Sequence, residues 1–286
     1  MIEAVRLAYL VGALVVCVAI TLGLGYWGLL SRRSSLGLSL AGIVLAAGAF
    51  LAGVLPNNQI YGPIVAQLPI RDKALASTGT DGLAVANLSV QDKSVALTFD
   101  DGPNPIYTEK ILAVLAEEQV HATFFVIGEH VRQYPDLVRL ETAQGHEVGV
   151  HTDQHKDVIR MSQSELAADL AQASDAVEQA TGRRPQYFRP PHGFRDPMIL
   201  AETGRQGMTL VNWSVMSRDW TNPGVQTLVE RMEKEVKPGA IILLHDGAGL
   251  KQVEPREQTV EAVRIVIRKL KAEGYHFVTL SEALNR

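Results

Sequence analysis

Two long apolar runs open the chain, and neither Leu7–Leu30 nor Leu36–Leu55 holds a charged residue. The hydrocarbon core of a bilayer takes roughly 20 apolar residues of helix, so each run is long enough to span it. A secretory signal peptide has an apolar region of only about 7–15 residues, which the first run exceeds. The link between them, Ser31-Arg32-Arg33-Ser34-Ser35, carries two arginines. By the positive-inside tendency that link lies in the cytoplasm and everything after Leu55 lies outside. The expectation is a membrane anchor over residues 1–57, with transmembrane helices near 7–30 and 36–55, and a multi-pass location in the cell membrane. Residues 58–90 contain prolines, glycines and polar residues without a sustained period, and read as an extracytoplasmic stalk. Within them Leu83–Val90 alternates loosely and is expected to pair with Val95–Phe99 as a hairpin.

From Ser94 the pattern changes to short apolar runs that alternate with amphipathic stretches. Strands are predicted at Val95–Phe99, Ala122–Ile127, Glu147–Val150, Tyr187–Arg189, Met208–Trp213, Ala240–Leu244 and Tyr275–Leu280. Helices are predicted at Thr108–Glu118, Pro135–Gln144, Ser164–Thr181, Pro197–Gln206, Val225–Val236 and Glu257–Glu273, from apolar positions at helical spacing. Ser162 or Ser164 starts the third of these and Gly182 stops it. About seven strand–helix units in series predict a parallel α/β domain over residues 91–286, either a barrel or an open sheet.

Charge is concentrated beyond Ile70, and the net charge of −4 offers no basic surface for a nucleic-acid partner. The single cysteine, Cys17, lies in the first apolar run, which excludes an internal disulfide and a cysteine-rich structural zinc site. In a parallel α/β domain the reactive side chains gather where strands end. Asp100 and Asp101 follow Phe99, His151 follows Val150, Arg189 ends its strand, Asp219 lies beyond Trp213, and His245 follows Leu244. One such residue is easily a loop residue or a helix cap; together they mark one edge.

His151 and His155 are four residues apart, a spacing that on a helical turn puts both imidazoles on one face. Thr152 stands where zinc peptidases of the HExxH type carry their glutamate. The third ligand and the base therefore come from elsewhere, and Asp100 and Asp101 can supply one of each. Two histidines and a carboxylate leave a position open for water on Zn²⁺ or a similar divalent ion. A bound cation acidifies its water and polarises a carbonyl. With His245 as a separate acid, these parts perform metal-assisted hydrolysis of an amide or ester. His121, His130, His146 and His276 read as structural or exposed.

In order, Thr98-Phe99-Asp100-Asp101-Gly102, His151-Thr152-Asp153-Gln154-His155, Arg189-Pro190-Pro191-His192-Gly193, Ser217-Arg218-Asp219-Trp220 and Leu243-Leu244-His245 resemble the five motifs of the polysaccharide deacetylases. This is the NodB-homology group, carbohydrate esterase family 4, and the resemblance covers about Lys93 to Leu284. It implies a distorted (β/α) barrel, with Asp100 as general base and Asp101, His151 and His155 as ligands of one divalent metal ion, Zn²⁺ first and Co²⁺ as another option. It implies further that Arg189 holds Asp100, that the backbone N–H of His192 stabilises the oxyanion, and that His245 is the general acid with its pKa raised by Asp219. Trp220, Leu243 and Pro191 would line the substrate pocket. Three positions depart from the family's pattern: His192 replaces a frequent tyrosine, Met216 a frequent aspartate and Val150 a frequent asparagine. These departures bear on substrate preference.

The expected activity is removal of N-acetyl groups from a cell-envelope polysaccharide, foremost N-acetylglucosamine of peptidoglycan. Chitin-like oligomers, exopolysaccharide, acetylxylan and a lipid-linked sugar are alternatives, as is a non-catalytic glycan-binding protein.

Overall fold

The computed structural model describes residues 85–90, 92–250 and 254–284. The two apolar runs expected to cross a membrane, and the stalk before residue 85, lie outside these residues. Among the described residues no helix is long and apolar enough to cross a membrane.

All eight strands found belong to one parallel system. They are β1 (Ser94–Gly102), β2 (Thr123–Val126), β3 (Glu147–Val150), β4 (Tyr187–Phe188), β5 (Thr209–Leu210), β6 (Val215–Met216), β7 (Ile241–His245) and β8 (His276–Phe277). Their order is β5-β4-β3-β2-β1-β7-β6, with β8 paired to the start of β1. The helices between them are α1 (Tyr107–Glu117), α2 (Gly128–Gln133), α3 (Pro135–Ala143), α4 (Gln163–Thr181), α5 (Pro197–Arg205), α6 (Val225–Glu235), α7 (Glu257–Ala272) and α8 (Leu280–Leu284).

The sheet curves into a partial barrel. Among the described residues no ladder joins its ends, β5 and β6. Val85–Leu88 lies between Leu210 and Gly239: Val85 N–H donates to the Leu210 carbonyl at 2.8 Å and Leu88 N–H to the Gly239 carbonyl at 2.8 Å. The expected hairpin with Val95–Phe99 is therefore not formed. β1 pairs on all its sides with parallel partners, which leaves Val85–Leu88 to satisfy its backbone elsewhere.

Strand alternation divides the core in two. Val95, Leu97, Phe99, Phe124, Val126, Ile242 and Leu244 pack under the helices. Ala96, Phe125, Tyr187, Val211, Trp213, Ile241 and Leu243 pack inside the curve of the sheet. Being buried on both faces explains why β1 reads as a nearly unbroken apolar run. It also fixes the direction of its polar residues, because Thr98 and Asp100 share the inner face with Ala96.

The helix ends obey local chemistry. Ser162 caps α4 with a capping box to Glu165, and Gly182 closes it in the left-handed conformation at φ 74°. β6 and α8 are elements the sequence pattern did not predict; β6 has two residues and α8 five, too short to show a period.

Candidate active site

Adjacent residues on a regular strand point to opposite faces, which would separate Asp100 from Asp101. The pairing of β1 with β2 slips between them: Asp100 is opposite Phe125, while Gly102 is opposite Val126. Asp101 is the extra residue of this bulge, with φ at 77°. The bulge re-aims the second carboxylate, so both reach the same edge of the sheet. His130, which the sequence reading set aside as structural, supports this turn through an Nδ1–H that donates to the Asp101 carbonyl at 3.1 Å.

Asp101, His151 and His155 each present a ligand atom within 4.8 Å of the others. The histidine pair does not sit on a helix, as its spacing suggested. It lies in an irregular turn after β3, with Thr152 and His155 both in the left-handed region at φ 67° and 52°. His155 Nε2 is 3.0 Å and His151 Nε2 3.6 Å from Asp101 Oδ1. The Arg189 carbonyl, 2.6 Å from His151 Nδ1, can only accept, so Nδ1 carries the proton and Nε2 the lone pair. Burial, the largest influence, pulls the His151 pKa down to about 4, so this ring is neutral. Its lone pair and the buried carboxylate thus face each other with no hydrogen between them, an arrangement a divalent cation resolves. Burial opposes the charge of Asp101, yet His155 and His245 outweigh it and hold its pKa well below the usual carboxylate range. His155 is likewise opposed by burial and raised by Asp101. The donor set therefore fits one divalent metal ion.

Asp100 projects inward beside this triad. Arg189 Nη1 donates to its Oδ1 at 2.8 Å and to Thr98 Oγ1 at 2.7 Å. The remaining guanidinium donors reach the carbonyls of Val211 (3.2 Å) and Asn212 (2.9 Å), and the plane lies 4.1 Å from the Phe125 ring centre. All three guanidinium nitrogens of this fully buried arginine are thus engaged, which fixes the carboxylate it holds.

His245 is the direct register partner of Asp100 across β1 and β7. Its Nδ1 is 2.8 Å from Asp219 Oδ1, and its backbone N–H donates to Asp219 Oδ2 at 2.8 Å. Burial lowers the pKa of His245, but Asp219 more than offsets this and lifts it to about 9, with help from Asp101 and Asp100. Trp220 stands edge-on to the same ring at 5.3 Å and is partly exposed. Leu243 lies buried in the inner cluster, and Met216, its register partner, packs against that cluster. Pro191 is buried. His192 takes φ 61°, and its Nε2 lies 3.3 Å from Asp157.

The predicted residues therefore assemble at one edge: the triad, Asp100 with Arg189, and His245 with Asp219 and Trp220. Sequence reading missed Asp246, which is buried beside Gly102, accepts from the Thr108 hydroxyl and has its pKa raised to about 7, chiefly by burial. Its position directly after His245 was the available signal.

A curved parallel sheet that gathers a triad able to hold a metal ion, a clamped carboxylate and a carboxylate-backed histidine at its strand ends has the parts of a hydrolase. A family model described as polysaccharide deacetylase matches residues 87–211. The chain is 40% identical over 191 residues to a chitooligosaccharide deacetylase of Bradyrhizobium sp. (strain ANU 289), covering 64% of this chain and 87% of that protein. It is 39% identical over 188 residues to a peptidoglycan-N-acetylglucosamine deacetylase of Bacillus cereus, covering 65% and 85%. Among solved structures it resembles a carbohydrate esterase family 4 pseudoenzyme from Bacillus anthracis, with a TM-score of 0.65, 28% identity, and coverage of 70% of this chain and 68% of that one. The chain belongs to the polysaccharide deacetylase family.

Proposed function

We propose that this chain is a metal-dependent N-deacetylase of a cell-envelope glycan, with N-acetylglucosamine of peptidoglycan as its substrate. The observation that carries the reading is the register pairing of Asp100 with His245 beside the Asp101–His151–His155 triad. A base and an acid on neighbouring strands can act on two sides of one amide. Asp101, His151 and His155 would hold one divalent cation, Zn²⁺ in our reading, which when bound would supply carbonyl polarisation and a more acidic water. Asp100, oriented by Arg189, takes the proton of the attacking water. The His192 N–H faces the developing oxyanion, and such donors contribute about 3–4 kcal/mol in other enzymes. His245, protonated at neutral pH, gives its proton to the sugar nitrogen as the C–N bond breaks, leaving acetate and a free amine. Trp220, Leu243 and Pro191 bound the space for the acetyl methyl.

A second reading, deacetylation of chitooligosaccharides, draws support from the Bradyrhizobium relative, which is as similar as the peptidoglycan enzyme. In our reading the two apolar runs anchor the chain so that the domain faces the wall polymer. A fusion reporter after Arg286 that works only in the cytoplasm would overturn that arrangement.

The deciding experiment treats peptidoglycan, chitooligosaccharide and acetylxylan in parallel and maps products by mass spectrometry, with and without chelator. Loss of 42 Da per N-acetylglucosamine in peptidoglycan, about the mass of one acetyl group, supports the reading when chelator abolishes it and Zn²⁺ or Co²⁺ restores it. Turnover that ignores chelation sinks the metal; acetate from chitooligosaccharide alone moves the assignment to the second reading.

A further inference from the structure

Nothing in the proposed mechanism draws on α7, yet its first turn reaches three loops at the edge where the site lies. Arg256, buried, donates Nε–H to the carbonyl of Gly247, two residues after His245, at 2.9 Å. The Tyr107 hydroxyl, from the start of α1, donates to Glu257 at 2.9 Å. Gln258 Oε1 accepts the N–H of Gly224 at 2.7 Å. Thr259, fully buried, donates its hydroxyl to Oδ2 of Asp219 at 2.9 Å.

We propose that Thr259 is a positioning residue for the general acid, acting through the Asp219 carboxylate. The inference rests on His245 serving as that acid. Asp219 Oδ1 takes His245 Nδ1 and, at 3.3 Å, shares the Ser217 hydroxyl with the Leu243 carbonyl at 2.9 Å, while Oδ2 takes the His245 backbone N–H and Thr259. Donors on both oxygens stop the carboxylate from rotating about its last torsion. The three donors other than Thr259 all come from the strand-end segments 217–219 and 243–245 that carry the acid itself. Thr259 alone ties the carboxylate to a long helix, and the neighbouring Arg256 and Gln258 anchor that helix to the loops on either side. Without the hydroxyl, Oδ2 keeps only the His245 backbone donor and the carboxylate loses its tie to α7, so it and the imidazole it holds are less firmly fixed.

The test compares Thr259→Val, Thr259→Ala and Thr259→Ser in the full chain, with His245→Ala alongside. Val keeps the volume but not the hydroxyl, and Ser keeps the hydroxyl. A hydrogen bond to a charged group is worth enough to change a rate by about tenfold. The expected result is a kcat about tenfold lower in Val and Ala, with KM and metal content unchanged, and recovery in Ser. The downfield proton resonance of the His245 Nδ1–H should move upfield in Val and Ala and return in Ser. Unchanged kcat and resonance in Val and Ala overturn the proposal, as does a loss that Ser shares, which would assign the effect to packing. If His245→Ala itself retains turnover, the acid assignment has failed instead, so the two failures are distinguishable.

Discussion

Replacing Asp219 by asparagine removes one charge from a fully buried position while nearly preserving volume. In the native site that charge is the main force raising His245, against burial, to about 9. Holding an imidazolium there rather than at an ordinary 6.5 corresponds to a preference of about 3 kcal/mol for the charged form. The His245 side chain is only 14% exposed, so solvent screens little of this. Asparagine also offers one acceptor oxygen to four donors, leaving its amide hydrogens against two of them. A general acid works only while protonated, so kcat must fall as pH rises through its pKa. The wild-type alkaline limb is expected near 9, or somewhat lower once a cation cancels part of the support from Asp101. In Asp219→Asn it should move toward 7 and the plateau should drop. Acetate release under saturating metal and substrate between pH 6 and 10 measures both. Because the folded pKa is raised, the stabilisation from this pair is complete below about 6.5 and lost as pH rises through about 9. The difference in Tm between wild type and variant should therefore narrow across that window. A variant whose alkaline limb stays where the wild type has it refutes the argument, since His245 would not be the titrating acid that Asp219 supports.

Other outcomes follow from the same geometry. Asp100→Asn should retain bound metal by elemental analysis while turnover falls about 10²–10⁴-fold, the usual range for a lost acid–base group; near-native turnover would remove Asp100 from its role. Arg189→Met should cost about 3–5 kcal/mol in denaturant unfolding, because it leaves the Asp100 charge buried without its partner. A loss below 1 kcal/mol would contradict that. Asp246→Asn keeps an acceptor for Thr108 but removes a carboxyl whose pKa burial raises to about 7. The folded state holds that proton and the unfolded state releases it near 3.9, so native stability from this group is lost as pH rises toward 7. The variant should thus gain Tm at pH 8 and nothing at pH 3, and equal gains at both would show another cause.

The fold was readable in the sequence wherever burial imposes a period. Six of the long or mid-length helices were recovered to within a residue or two at each end, because α7, for example, must place Val263, Val266, Ile267 and Leu270 on one buried face. The central strands were equally legible from their apolar runs. Val85–Leu88 was misassigned because alternation gives a strand's faces and says nothing of its partner, and the nearest strand was already paired on all sides. The site residues were legible as types at strand ends, while their geometry was not. The turn holding His151 and His155 looks helical by spacing, and only its left-handed backbone at Thr152 and His155 shows otherwise. The bulge at Asp101 has no sequence cue, since aspartate is no worse a strand residue at one position than at the next.

Whether this fold supports turnover is not decided by the fold alone, because a pseudoenzyme shares it. Turnover is favoured by where the charge lies. Along the inner face, β1 passes from Ala96 through Thr98 to Asp100, and β7 passes from Ile241 through Leu243 to His245. The outward positions beside them, Phe99 and Leu244, stay apolar to the same height. Polarity is therefore confined to one face and one end, where Asp100, Asp101, Arg189 and Asp219 are all buried. Burying an ion costs several kcal/mol before any partner compensates it, and apolar residues of similar volume are often no less stable. A chain selected only to keep the sheet would have no physical reason to concentrate that cost around a triad whose donors fit a divalent cation. In the proposed mechanism these groups serve as base, acid and ligand set, and Arg189 and Asp219 hold the first two in place.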